Sequence, residues 1–254
     1  MLKSKTKLLQ LTVTLSACAF LLIPTLMSVL AGITVNYFKG VSSGLTFKWV
    51  LNVWELYTES IFLSLWLAIV CLIVTLLIGL PAAYGLARHP GWLSRLLEEF
   101  ISLPLAVPGL ALALALLQLY GTLGGFRTSW TFILVGHVLY TLPFMVRSIL
   151  AVLVAIDLKT LEEGAASLGA SPWQRFRDIV VPNAMPGILA GALTVVTLSI
   201  GEFNLTWMLH TPYLKTLPVG LADSYASMRL EIASAYTLVF FVLVVPLLMA
   251  MQWA

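Results

Sequence analysis

Long apolar stretches separated by short polar ones set the pattern of this chain. The stretches run from about Leu8 to Ile33, Ile61 to Leu86, Phe100 to Tyr120, Ser129 to Val146, Met185 to Leu209 and Ala233 to the end. Each is long enough to be read as a membrane-crossing helix, which takes ~18 or more apolar residues. Helices are expected rather than a barrel, because barrel strands alternate in polarity and run only ~10 residues. The predicted fold class is all-α, a polytopic membrane protein of about six transmembrane helices. The chain reads as a single transmembrane domain, 1–254, with 1–33 as a first peripheral helix and 58–254 as the core. The remaining polar segments, about Thr34 to Thr58 and His210 to Ile232, are too short for a substantial core of their own.

The interval 157–182 has a different pattern. Asp157 can cap a helix over Leu158 to Leu168, with Leu158, Leu161, Ala165 and Leu168 on one face and Glu162 leaning away from it. Gly169 can end that helix in the left-handed conformation that costs glycine no steric penalty. Ser171 is a good N-cap, Pro172 suits the first helical position and Gln174 completes a Ser-x-x-Gln capping box. Trp173, Phe176 and Val180 project from one side of the second helix, and Pro182 ends the pattern. The product is a helix–Gly–helix elbow whose aromatic pair, Trp173 and Phe176, sits among Glu163, Arg175, Arg177 and Asp178. An exposed aromatic pair ringed by charge resembles a protein-binding hot spot. An amphipathic helix on the membrane surface is the other reading of the same pattern.

Small residues and prolines mark further positions. Gly187 and Gly191, like Gly79 and Ala83, are spaced to let helix backbones approach closely in lipid. Leu103-Pro104-Leu105-Ala106-Val107-Pro108-Gly109 opens the third apolar run, and its prolines interrupt the hydrogen-bond ladder. Pro104 and Pro108 mark either a simple kink or a bend lining a translocation path.

Composition agrees with a membrane chain: 60% of residues are hydrophobic and 10% charged, against ~25% charged in a soluble domain. The placement of charge matters more than its total. Lys3, Lys5, Lys7, Arg88, Arg95, Arg147, Lys159, Arg175 and Arg177 lie in intervals that share one side if the spans alternate. Lys39, Lys48, Arg127, Lys215 and Arg229 lie on the other. The positive-inside rule then puts both termini and Glu163 in the cytoplasm. Cys18 and Cys71 sit within apolar runs and read as small packing residues rather than ligands or a disulfide. Leu15-Ser16-Ala17-Cys18 resembles a lipoprotein cleavage site, but the apolar run continues to Ile33 where a processed lipoprotein turns polar.

Ionisable groups within spans are expensive and default to functional candidates. Glu202 reads as an outer-interface carboxylate, reaching interfacial water, paired with an outer-loop Arg or Lys, or lining a solute path. Asn204, Trp207, Asp223 and Tyr225 are candidates for the same vestibule. His137 reads as a hydrogen-bonded packing residue. No His, Cys or carboxylate cluster has metal-ligand spacing, and no nucleophile–base constellation is evident, so no catalytic residue is assigned. The chain lacks a Gly-x-x-x-x-Gly-Lys-[Ser/Thr] loop to cradle phosphates, and nothing in it suggests a nucleic-acid partner.

Glu163-Gly164-Ala165-x-x-x-Gly169, followed after nine residues by Ile179-x-Val181-Pro182, resembles the "EAA" signature of binding-protein-dependent ABC importer permeases. Gly164 stands where that signature has its first Ala, and Val181 where Leu is common. Gly79 to Arg88 resembles the end of the second span in such permeases, and Leu103 to Gly109 their third. The resemblance implies a type I importer permease fold in a bacterial inner membrane. It implies that the elbow holds a coupling helix, with Glu163, Gly164, Ala165, Gly169, Ser171, Trp173, Phe176 and Pro182 in a docking role toward a separate ABC ATPase dimer. ATP and Mg are then held by that partner, and no cofactor by this chain. The other implied partners are a second permease, identical or homologous, and a periplasmic or lipid-tethered solute-binding protein. Gly201-Glu202-Phe203 and Thr216-Leu217-Pro218-Val219 resemble permeases for polyamines, phosphonates, thiamine, iron and oxyanions. Glu202 and Asp223 favour an organic amine such as a polyamine or aminophosphonate; an inorganic oxyanion, iron or thiamine is the alternative. An ion-coupled secondary transporter is the rival of another class. It would show paired broken helices and more intramembrane charge, and the sequence shows little of either.

Overall fold

The structure, a computed structural model, describes residues 2–251. Its helices are α1 (Leu2–Ala31), α2 (Lys48–Arg88), α3 (Trp92–Ala106), α4 (Gly109–Tyr120), α5 (Gly124–Arg127) and α6 (Trp130–Ala155). They continue with α7 (Leu158–Ser167), α8 (Pro172–Arg175), a π-helical turn (Phe176–Val180), α9 (Val181–Gly201), α10 (Asn204–Leu209), α11 (Leu217–Ala226) and α12 (Leu230–Met251). Among the described residues, β-pairing is limited to two isolated bridges, Thr34 with Leu45 and Thr211 with Leu214. Among the described residues, five helical runs are long and apolar enough to cross a membrane, or six if the bent pair α3–α4 is one span.

One open reading is decided and three expectations are corrected. The third apolar run carries a sharp bend, the second of the two readings, and not a simple kink: α3 and α4 meet at 101°. Pro104 lies inside α3, and the break falls at Val107, which is extended at φ −96°, ψ 129°. Pro108 forces this, because its ring excludes the helical conformation from the residue before it. Pro182 does not stop the elbow's second arm, since Pro172–Gly201 is one helical run. A proline ring ordinarily clashes with the carbonyl four residues back. Here that residue is Asp178, inside the wider π turn, which gives the ring room. The run 185–209 does not stay continuous, because α9 stops at Gly201 and Glu202 is extended. Cys71 is buried as expected, whereas Cys18 is exposed on α1, whose apolar window is wholly unburied. The expected end of the last span at Gln252-Trp253-Ala254 lies outside the described residues.

The chain clusters into two compact units, Met1–Thr58 with Gly220–Val242, and Glu59–Val219 with Leu243–Ala254. Helix α2 contributes to both, and the division falls beside Tyr57, whose φ −132°, ψ 18° is non-helical. In the smaller unit the end of α1 lies against the start of α12. A Cβ on Gly32 would sit 2.6 Å from the Ala235 nitrogen. The Tyr37 N–H donates to Glu231 Oε1 at 3.0 Å, and Tyr57 packs on Tyr236 with centroids 4.8 Å apart.

In the larger unit α6 and α9 form the centre. A Cβ on Gly187 would lie 2.6 Å from the Ser148 carbonyl oxygen and 2.9 Å from Ile149 Cα, and one on Gly191 would lie 2.9 Å from Met145 Sδ. Gly79 of α2 meets Met145 in the same way, at 2.9 Å from Cγ. The expected small-residue contacts are therefore present. Val146, Ile149, Leu153, Ala184 and Val195 fill one apolar cluster, and Leu67, Ala113, Phe132, Ile133, Leu205 and Leu209 a second.

Gly187→Val should cost ~3 kcal/mol or more of stability, because α9 must move off backbone atoms that cannot rotate aside. Gly164→Ala meets nothing within 4 Å and should stabilise α7 by up to ~1 kcal/mol. Unfolding midpoints of the two purified variants check both signs; a tolerant Gly187→Val would contradict the close packing.

Candidate functional site: a capped elbow and two helix breaks

The elbow joins the end of α6 to the start of α9. Asp157 caps α7, accepting from the Thr160 N–H at 3.2 Å and from its hydroxyl at 2.6 Å. Those two bonds, the hydroxyl's first, hold the Asp157 carboxyl below its usual range. Gly169 takes φ +88°. The Gly169 N–H bonds to the Ala166 carbonyl at 2.9 Å and the Ala170 N–H to the Ala165 carbonyl at 3.1 Å. This is the paired C-terminal closure that a left-handed glycine permits. The capping box is complete: Gln174 N–H donates to Ser171 Oγ at 3.3 Å, and Ser171 N–H to Gln174 Oε1 at 2.7 Å.

The face that the elbow buries is only partly the expected one: Leu158 is buried and Ala165 half-buried, as expected. Leu168 is 90% exposed and Leu161 is exposed as well, whereas Glu162 is 4% exposed. The Tyr84 hydroxyl donates to Glu162 Oε1 at 2.6 Å. Arg88 Nη1 donates to the Tyr84 oxygen at 2.8 Å, and Arg88 Nε stands 3.7 Å from Glu162 Oε2. A buried carboxylate is tolerated when it is paired and hydrogen-bonded, and these partners on α2 turn the helix toward them. Glu163 stays in the open with Lys159 3.8 Å away. The aromatic pair is divided in role. Trp173 is 64% exposed and stacks on Phe176 at 5.8 Å. Phe176 is half-buried and packs edge-on to Tyr84 at 5.4 Å, so it fixes the elbow to α2 rather than facing outward. A shallow groove beside the turn is lined by Ala165, Leu168, Gly169, Gln174, Arg175 and Asp178.

Of the path candidates, Pro104, Pro108, Glu202, Asn204 and Trp207 lie at or beside two helix breaks. Glu202 turns back onto the start of α10. One oxygen accepts from the Leu205 N–H at 2.8 Å, the other from the Thr206 N–H at 2.8 Å and hydroxyl at 2.6 Å. Its side chain is only 8% exposed. It is the cap of α10. His137 on α6 bridges the break, with Nδ1 2.8 Å from Ser199 Oγ and Nε2 2.8 Å from Thr206 Oγ1. Thr206 already donates to Glu202, so it accepts from His137 Nε2–H, and Ser199 donates to Nδ1. His137 is thus the hydrogen-bonded packing residue expected. The α3–α4 break meets the α9–α10 break: a Cβ on Gly109 would lie 3.3 Å from Asn204 Cβ. Pro108 and Asn204 therefore come together, with Pro104 one turn before the bend. Trp207 is exposed at its edge and tilted against Phe203 at 5.4 Å. Asp223 and Tyr225 belong to the smaller unit, where Tyr225 lines a pocket with Pro24, Met27, Thr34 and Tyr37. Two broken helices are more than the sequence reading anticipated. Sequence reasoning also missed Tyr84, Arg88 and Glu162, although a Tyr and an Arg four residues apart at the end of an apolar run were a signal.

Apolar spans, a polar elbow stiffened by its own caps and two helix breaks in contact define a multi-pass transport component. Residues 76–254 match the family described as "Binding-protein-dependent transport system inner membrane component", and the chain belongs to that family. It is an ABC importer permease subunit of a bacterial-type inner-membrane system. It is 33% identical over 191 residues to the molybdenum transport system permease protein ModB of Azotobacter vinelandii, covering 69% of this chain and 83% of that protein. It is 26% identical over 224 residues to PhnV of Salmonella typhimurium, a permease protein named for 2-aminoethylphosphonate transport, covering 87% and 80%. A chain of the MetNI methionine ABC transporter, solved in inward-facing conformations, superposes with a TM-score of 0.63 at 19% identity. The match covers 80% of this chain and 94% of that one, and gives the type I importer permease fold.

Glu202→Ala should lower the unfolding midpoint by an amount equivalent to ~2 kcal/mol, since two buried N–H groups lose their acceptor. Glu202→Gln keeps an acceptor and should cost less. An unchanged midpoint for Glu202→Ala would show the carboxylate to be free for solute.

Proposed function

We propose that this chain is a path-forming subunit that carries a small solute inward, driven by ATP hydrolysed in a separate ATPase dimer. The observation behind this reading is the elbow. It is rigid by its own hydrogen bonds, yet it leaves Leu168 and Trp173 uncovered. Large apolar side chains held outward on a stiff, charged support are what a partner cleft needs, because little ordering entropy is lost on docking. Glu163, Gly164, Ala165, Gly169, Ser171 and Trp173 form the docking element in this reading, with Leu168 added and with Phe176 and Pro182 holding it in place. ATP and Mg belong to the ATPase. The elbow and the N-terminus face the cytoplasm, in line with the distribution of Lys and Arg. The solute arrives from a periplasmic or tethered binding protein, and a second permease, identical or homologous, completes the path. The two helix breaks give the bundle alternative packings of rigid halves, as alternating access requires.

For the solute, the amine argument loses Glu202, whose carboxylate is committed to α10. The named relatives handle 2-aminoethylphosphonate and molybdenum; molybdate and a phosphonate share a tetrahedral oxyanion group. We therefore favour a solute carrying that group, with an aminophosphonate first.

Trp173→Ala with Leu168→Ala should abolish copurification of the ATPase while leaving the permease inserted; stoichiometric recovery of the ATPase would contradict the docking role. In cells dependent on this system, uptake of labelled 2-aminoethylphosphonate should exceed that of molybdate and putrescine and stop on ATP depletion. Preferential putrescine uptake would restore the amine reading, and uptake that survives depletion would favour an ion-coupled carrier.

A further inference from the structure

We propose that Tyr84, Arg88 and Glu162 form a directional link that carries the elbow's movement into α2, making them positioning residues for transport. This rests on the reading that the elbow docks an ATPase.

The elbow is joined by the chain itself to α6 and α9, so any push on it reaches those helices directly. Helix α2 has no such covalent connection to the elbow. Beyond the apolar cluster that Ala83 and Leu86 share with Leu158 and Val180, what it has is Tyr84. The hydroxyl of Tyr84 donates to Glu162 on the first arm at 2.6 Å. Its ring receives Phe176 of the second arm edge-on at 5.4 Å, and Trp173 stacks on Phe176 in turn. One side chain of α2 is thus held by both arms. Arg88, one turn further on, closes the arrangement by donating to the Tyr84 oxygen at 2.8 Å.

The donor directions are fixed by chemistry. Arginine can only donate, so the Tyr84 oxygen accepts from Arg88 and its single proton must go to Glu162. Bonds to a charged acceptor are short and strongly oriented. This carboxylate sits on a helix whose other polar residues are exposed, yet it is almost wholly buried itself. Burying a charge is costly unless it is paired. An apolar residue would have filled the same space without that cost. A hydrogen-bonded triad, unlike an apolar contact, resists sliding, so α2 follows the elbow instead of slipping past it.

Hydrogen exchange on the complex isolated with its ATPase, without nucleotide and with MgATP plus orthovanadate, tests the link. In the parent, nucleotide should change exchange in both 157–182 and 80–88. Tyr84→Phe, which keeps the ring and removes the donor, should retain ATPase copurification and the change in 157–182 but lose the change in 80–88. Glu162→Leu, similar in size without an acceptor, should do the same, whereas Glu162→Gln keeps an acceptor for Tyr84 and should keep the response of 80–88. A merely stabilising contact would not separate Gln from Leu in this way. An undiminished response of 80–88 in Tyr84→Phe and Glu162→Leu overturns the link and leaves docking intact. A parent whose 157–182 ignores nucleotide overturns the docking reading, and the link with it.

Discussion

The backbone-close packing of α6 on α9 is the contact on which the rest of the larger unit depends. Lipid offers no hydrophobic drive between helices, so association rests on close contact and hydrogen bonds. Gly187 and Gly191 supply the contact, bringing α9 to within a missing side chain of Ser148 and Met145. His137 and Ser199 supply a hydrogen bond between the same two helices. Because α6 and α9 are also the two stems of the elbow, fixing their separation fixes the elbow's base. The caps at Asp157, Gly169 and Ser171 do the rest, so the segment is a rigid body rather than a loop.

The same economy of polar groups governs the breaks. A helix that stops inside an apolar region leaves N–H and C=O groups with no water to satisfy them. At α10 the Glu202 carboxylate takes up two of those donors and the Thr206 hydroxyl besides. At α4 the break is led by Pro108, which has no N–H to satisfy. Where Gly109 meets Asn204, the two breaks touch. Four helical segments therefore meet there, with His137 of α6 tying α9 to α10 across one of the breaks.

Much of this was legible in the sequence, and what was not has a physical reason. The spans, the capping box, the left-handed Gly169 and the glycine pair follow from local rules that the structure obeys. The burial of Glu162 does not, because helical periodicity assumes that the apolar side turns inward. Here Tyr84 and Arg88, far away in sequence, draw one charged residue, Glu162, inward beside Leu158, while Leu161 and Leu168 stay out. Pro182 was read as a stop because the π turn that accommodates it has no sequence signature of its own. Glu202 was read as a solute or interface charge, although its place just after Gly201 and ahead of Leu205 and Thr206 fits a helix start. The 101° bend at Val107 was legible as an interruption but not in its size.

The central claim is that the outward side of the elbow meets an ATP-hydrolysing subunit. A photo-crosslinking amino acid placed at Leu168, irradiated in intact membranes, tests it most directly. The account predicts one dominant product containing the ATP-binding subunit, formed from the cytoplasmic side. Crosslinks to lipid alone, or to a protein on the opposite side of the membrane, would contradict it.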